Sequence, residues 1–289
     1  MTFMITKRDG RLEPFDLEQV RAAVAFATQG LPVDAVAFEA QAAVGWHHGI
    51  GVHGYQQYMV ARQIPWESED HVREADALFE RMAYRAIAAS TELAQERGAY
   101  PHFEGSAWHT GDYFRQREYT GGAWETLAHK VAQHGLRNGY LLAIAPTGST
   151  SILADATPGI DPVFEHVWRE DKQAYAVWRL APGLTVQTRD RYATGHAIDQ
   201  TWSIRAAAAR QRHLDQSQSL NIYRTANMDA ATLSEWYQLA WHLGLKTLYY
   251  FRNFQPTASP TPQVIPSDPS LADPSVTVVG DIACLGCEL

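Results

Sequence analysis

Apolar positions recur at helical spacing along several stretches of this chain. Between Ser68 and Gly98 they fall at Val72, Ala75, Leu78, Phe79, Met82, Ala86 and Leu93, which predicts an amphipathic helix capped by Ser68 and stopped by Gly98. Leu17, Val20, Ala23, Val24 and Ala27 predict a shorter helix between Asp16 and Gly30, after two short strands joined by a Lys-Arg-Asp-Gly turn. Residues 31–48, with Pro32 and an Ala-rich stretch, read as a join that can hold another helix. From Gly49 the pattern predicts a Gly-rich apolar turn and two helices, then a Trp- and Gly-rich connection over 106–124. A helix follows at about 123–135, and then a buried strand over 140–145. Helices near 203–212 and 229–243 and a strand over 245–252 complete the alternation. Strands alternating with helices give an α/β class, with too few strands for a complete large barrel.

Composition narrows the function. The 289 residues are 46% hydrophobic, enough to pack the core of one large domain or two ordinary ones. A net charge of -8 and a pI near 5.8 deny a broad basic face to nucleic acid or an acidic membrane. No apolar run approaches the roughly 20 residues that cross a bilayer, and the opening residues lead into Lys7-Arg8-Asp9, so a cytoplasmic protein is expected. Residues 255–283 carry Pro256, Pro260, Pro262, Pro266, Pro269 and Pro274 among Ser, Thr and Asp, and read as a mobile, partly extended arm.

Three stretches can carry chemistry. The apolar run "YLLAIA" stops at Pro146 and opens into Thr147-Gly148-Ser149-Thr150-Ser151. Small residues at a helix start offer backbone N–H groups and hydroxyls to a phosphate, and they equally make an ordinary capped strand-to-helix turn. No Gly-Lys-Ser/Thr follows, so this is not a P-loop. The only two cysteines, Cys284 and Cys287, stand as C-x-x-C at the tip of the arm, a spacing suited to thiol-disulfide exchange; a zinc site shared between chains and incidental cysteines are the alternatives. Tyr249-Tyr250 read as neighbours on opposite faces of a strand, and a redox role would require a strand end or irregular backbone to bring the rings together.

The polar residues elsewhere are less directive. The 12 histidines, among them His47, His48, His53, His71, His102 and His109, show no metal-ligand spacing such as H-E-x-x-H and read as solvated or hydrogen-bonded. Arg205, Arg210, Arg212, Asp215, Gln216, Ser217 and Asn221 can line a polar cleft or make a charged helix face with a capped turn.

Taken together, "GIGVHG…IPWESED", "FERMAYRAIAASTELAQERGAYPHFEGS", "HGLRNGYLLAIAPTGSTSILADATPGIDPVF", "AIDQTWSIRAAAARQRHLDQSQSLN", "LGLKTLYYFR" and "CLGC" closely resemble the large, catalytic subunit of ribonucleotide reductase, class I-like. The resemblance covers residues 49–289, and "ITKRDGRLEPFDLEQVRAA" is similar to the start of the family's ATP-cone. It implies part of a ten-stranded α/β barrel. The expected organisation is a partial cone over 1–30, a join over 31–48, the later half of the barrel over 49–254 and a flexible tail over 255–289. It also implies an oxidoreductase that makes deoxyribonucleotides for DNA synthesis.

The resemblance assigns roles residue by residue. Pro146, Thr147, Gly148, Ser149, Thr150 and Ser151 would seat the substrate's phosphates. Tyr249 and Tyr250 would relay a radical supplied by a metal-containing small subunit, with an adenosylcobalamin-dependent assembly as the alternative. Cys284 and Cys287 would re-reduce the active-site disulfide and be reduced by thioredoxin or glutaredoxin. Lys7 and Arg8 would meet ATP or dATP as allosteric effector. The family's radical cysteine and internal redox pair have no counterpart, because no cysteine precedes Cys284. The expectation is therefore a shortened or split subunit that needs a companion chain, or else a non-catalytic protein that binds nucleotide or the small subunit.

Overall fold

A computed structural model describes residues 4–6, 12–14, 37–42, 47–171, 176–225, 228–248 and 250–254. The expected helix over 16–30, the residues Lys7, Arg8, Tyr249, Cys284 and Cys287, and the arm over 255–283 lie outside the described residues.

The longest element is α2 (Glu69–Arg97), which follows the short α1 (Tyr55–Ala61). The Ser68 hydroxyl accepts from the His71 N–H at 3.1 Å, Glu69 and Asp70 occupy the first turn, and Arg97 the last, all favourable to the helix dipole. Gly98, at φ 79, ends the helix in a conformation that L side chains rarely adopt. The predicted stripe is the buried one: Ala75, Leu78, Phe79, Met82 and Ala86 line the core. Against it pack α4 (Gly122–His134) and α6 (Gln200–Gln211), preceded in the chain by α3 (Asp112–Gln116) and α5 (Gly148–Leu153). Ala206 and Ala207 are fully buried, and their small side chains let α6 approach α2 closely. Helix α7 (Ala230–His242) starts at Asp229, whose carboxylate accepts from the Thr232 N–H at 2.8 Å, and packs on α6.

The strands form four sheets among the described residues. β1 (Met4–Thr6) and β2 (Leu12–Pro14) pair antiparallel, as the expected short strands would. β3 (Ala37–Ala42) pairs antiparallel with β4 (His47–His53), which runs parallel to β5 (Tyr140–Leu142). β6 (Val167–Asp171) and β7 (Ala176–Leu180) make an antiparallel pair, and β8 (Ile222–Thr225) runs parallel to β9 (Phe251–Phe254). Single parallel bridges join Ile144 to Gln218 and Val163 to Thr194. Helices packed beside parallel strands give the expected α/β class. Among the described residues no helix is long and apolar enough to cross a membrane.

Four sequence expectations need correction. The Gly-rich stretch from Gly49 is strand, because its glycine serves close approach rather than turning: a Cβ on Gly51 would stand 2.4 Å from the Ala143 carbonyl oxygen. The turn comes at Gly54, at φ 76. Within the join, 37–42 is strand and not helix; pairing with the open edge of β4 outweighs the helix preference of its alanines. The strand expected over 140–145 stops at Leu142, where the Leu141 and Leu142 N–H groups turn to the Asp215 carboxylate. The strand expected over 245–252 begins only at Phe251. Leu245 and Leu248 are buried, but the Leu245 N–H bonds back to Ala240 at the end of α7 and the Lys246 ammonium donates to the Asp215 carbonyl, so this stretch packs without a ladder.

Candidate functional site

The loop after β5 turns at Pro146 and enters α5 with Thr147 at the cap position. Gly148, Ser149 and Thr150 form the exposed first turn, where backbone N–H groups lack intrahelical acceptors. The flanking hydroxyls face inward instead. Thr147 is buried and its Oγ1 accepts from the Gly159 N–H at 2.7 Å; Ser151 is buried and its Oγ donates to the Gly148 carbonyl at 3.2 Å. The six-residue motif thus divides into two braces, Thr147 and Ser151, and an open turn between them. A Cβ on Gly148 would meet nothing within 4 Å.

The brace reaches a second loop, residues 157–163, which α1 holds in place. Gly54 N–H donates to the Thr157 carbonyl at 2.6 Å, and the Gln57 Oε1 accepts from the Thr157 N–H at 2.8 Å. Buried Gln56 accepts from the Val163 N–H at 2.7 Å and donates to the Ala193 carbonyl at 2.6 Å. These two glutamines escape a sequence reading that looks for charge and hydroxyls. Their signal is a pair of amides at the start of an otherwise apolar helix.

The same loop connects the turn to Tyr250. Buried Asp161 accepts from the Asn221 N–H at 3.0 Å and from its side-chain amide. Asn221 Oδ1 in turn accepts from Arg252 Nε at 2.8 Å, and the Arg252 guanidinium lies 5.6 Å from the Tyr250 ring centroid. Burial pushes the Asp161 carboxyl up to about 6, against the opposing pull of Asn221, Arg210 and Arg252. Tyr250 is 51% exposed and its carbonyl accepts from the Ile222 N–H, just ahead of β9. Of the sequence-predicted residues, the open turn and Tyr250 are therefore joined through Gly159, Asp161, Asn221 and Arg252.

The polar segment 198–221 is neither a simple charged face nor only a cleft wall. Arg205 makes the exposed helix-face contact, to Glu69 at 2.6 Å. Arg210 is buried, donates from Nε to Gln218 at 2.7 Å and sits 5.2 Å from the Tyr55 ring centroid; burial pulls its pKa below the ordinary guanidinium value. Asp215 is buried and accepts from Tyr113 at 2.6 Å and from the N–H groups of Leu141 and Leu142. His71 packs between Tyr55 and Trp66, with Nδ1 2.7 Å from the Trp66 carbonyl oxygen, and burial pushes it down to about 4. Among the described residues no three His, Cys, Asp or Glu side chains converge as a metal site would require.

The chain matches the ribonucleotide reductase barrel domain family over residues 15–251. It is 47% identical over 205 residues to the ribonucleoside-diphosphate reductase subunit alpha of Treponema pallidum, covering 71% of this chain and 24% of that protein. It is 40% identical over 223 residues to the subunit alpha of Helicobacter pylori strain J99, covering 72% of this chain and 28% of the relative. The chain thus spans about a quarter of the length of the curated relatives it matches. By the family match over most of its length and these identities, the chain belongs to the ribonucleotide reductase large-subunit barrel family.

Proposed function

We propose that this chain works as part of a ribonucleoside-diphosphate reductase large subunit, converting ribonucleotides to deoxyribonucleotides by radical chemistry. The observation that carries the reading is the exposed turn Gly148-Ser149-Thr150, held open between the buried braces Thr147 and Ser151. On this reading the turn's backbone donors receive the substrate's phosphates, with Pro146 setting the chain's entry. Tyr249 and Tyr250 relay the radical delivered by a metal-containing small subunit, and an adenosylcobalamin-dependent source is the alternative. Cys284 and Cys287 shuttle reducing equivalents from thioredoxin or glutaredoxin, and Lys7 and Arg8 contribute to an ATP or dATP effector site on a partial cone over 1–30. The thiyl-forming cysteine and the internal dithiol lie outside this sequence, so a companion chain carrying the rest of the barrel supplies them.

The test is nucleoside-diphosphate reduction by the full chain with its co-encoded neighbours, a small subunit and a dithiol reductant. Product that requires a companion chain supports the proposal; no product in any combination defeats it. Gly148→Asp probes the turn directly. Its side chain has room, so the melting temperature should hold. A carboxylate against the phosphates should weaken diphosphate binding by about tenfold or more, read by calorimetry. A second reading is binding of nucleotide or of the small subunit without turnover. It is favoured by the absence of any cysteine before Cys284, and retained diphosphate affinity with no product in every combination would support it.

A further inference from the structure

A buried hydrogen-bonded line lies beside the α2–α4 packing and takes no part in the phosphate turn. The Tyr119 hydroxyl is 2.8 Å from His213 Nδ1, and His213 Nε2 is 2.9 Å from the Asp76 carboxylate. Tyr119 is 7% exposed and His213 fully buried, whereas the Asp76 side chain is 38% exposed. The line therefore runs from a buried phenol to the surface.

Chemistry fixes its protons. A carboxylate at 2.9 Å demands a donor at Nε2, and burial holds the imidazole neutral by lowering its pKa, so Nδ1 is the acceptor and receives the Tyr119 proton. Arg212 Nε lies 3.3 Å from the same Nε2 and 3.2 Å from the Asp76 carboxylate; the shorter 2.9 Å contact to a charged acceptor claims the Nε2 proton, and the guanidinium pairs with the carboxylate rather than with the ring. Burial raises the Tyr119 pKa well above that of an ordinary phenol, which disfavours the phenolate, and the acceptor in hydrogen-bond contact with the hydroxyl is His213 Nδ1.

The ring also has an aromatic path to solvent. Trp124 stacks on Tyr119 with centroids 3.8 Å apart and planes within 3°, and its indole N–H donates to Glu80 at 2.9 Å. Tyr84 meets Trp124 edge-on at 5.0 Å and lines a cleft of about 300 Å³ between α2 and α4, together with Thr91, Glu92 and Lys130. Tyr113 offers the contrast. It too is buried and hydrogen-bonded, but the Arg117 guanidinium lies 3.6 Å from its ring centroid, where a cation opposes loss of an electron, and its acceptor Asp215 already takes two backbone donors.

We propose that Tyr119 is a redox-active tyrosine, reached from the α2–α4 cleft through Tyr84 and Trp124, with His213 as its proton acceptor. A one-electron oxidant at the cleft, such as a photo-oxidised metal–polypyridyl complex or a protein-borne radical, takes one electron along the rings. The Tyr119 O–H bond breaks, its proton goes to His213 Nδ1, and a neutral tyrosyl radical is left beside an imidazolium held by the Asp76 carboxylate. A one-electron reductant such as a thiolate returns the electron, and the same proton returns from His213. The inference rests on contacts within this chain and is independent of ribonucleotide reduction.

Flash-quench oxidation of the full chain with a ruthenium polypyridyl complex, followed by electron paramagnetic resonance, tests it. The expected result is a long-lived neutral tyrosyl signal with an exchangeable-deuteron coupling in D2O, absent in Tyr119→Phe and kept in Tyr113→Phe. His213→Gln should shorten its lifetime roughly tenfold or more, the scale of one lost charge-assisted hydrogen bond. Trp124→Phe should lower its yield while preserving the stack. A long-lived signal unchanged in Tyr119→Phe, or no such signal in the wild type, overturns the proposal. The deuteron coupling is read on the wild type, so the test stands even where a variant fails to fold.

Discussion

Two buried aspartates organise two regions of this molecule in different ways. Asp215 accepts from Tyr113 and from the N–H groups of Leu141 and Leu142, with the Arg117 guanidinium 3.7 Å away, and so ties β5, the segment before α4 and the end of α6 into the core. Among the described residues Asp161 takes its hydrogen bonds from Asn221, and it lies in the 157–163 loop whose Gly159 braces the turn at Thr147. The first carboxylate is saturated with donors and acts as structure. The second is under-supplied, and burial drives its carboxyl up to about 6. At Asp161 desolvation outweighs the donors that face the carboxylate.

The sharpest way to break the comparison is Asp215→Ala. Removing an acceptor that serves three donors and faces a cation should destabilise the chain by about 3–5 kcal/mol, read as a fall in the urea midpoint. A midpoint shift no larger than that of an exposed substitution would show that the hub does not carry the region.

The second test is pH. The folded pKa of Asp161 is raised from 3.8 to about 6, so the native state binds the extra proton. Its contribution is present below pH 4 and is lost as pH rises to 6, on the order of 3 kcal/mol at 1.36 kcal/mol per unit. His71 has the opposite sign. Its pKa is lowered from 6.5 to about 4, so the unfolded state binds the extra proton, and its contribution is present above pH 6.5 and lost as pH falls to 4. The two slopes oppose each other over the same window. Relative to wild type, Asp161→Asn should make stability climb more steeply from pH 4 to 6, and His71→Asn should make it fall. Parallel pH profiles for all three proteins would remove the titrating role from Asp161.

Thr147→Val gives the smallest effect. It leaves the Gly159 N–H without its 2.7 Å acceptor, which should cost about 1–3 kcal/mol and, on the function proposed above, weaken diphosphate binding by loosening the turn. Stability lost with affinity intact would separate the brace from the turn it supports.

Much of the helical body was legible in the chain. Ser68, Gly98 and the apolar positions between them fall where the capped, buried α2 has them, and the helices around 123–135, 203–212 and 229–243 stand within a few residues of their expected places. The strands were less so. Gly51 looked like a turn residue because the chain does not say which backbone will pass beside it, and the Ala143 carbonyl is 92 residues away in sequence. The β6–β7 pair, 167–180, was not anticipated.

The site divides along the same line. Periodicity, capping residues and the small-residue break after Pro146 act over a few positions, so the main helices and the turn could be read from the chain alone. Folding alone turns Thr147 and Ser151 inward, sets Gln56 and Gln57 as a clamp on residues 157–163, and joins the turn to Tyr250 through Asp161, Asn221 and Arg252. Apart from the local Ser151–Gly148 contact, those partners are 12 to 107 positions apart along the chain, and their roles follow from burial and from which donors remain to be satisfied, neither of which exists until the chain has folded.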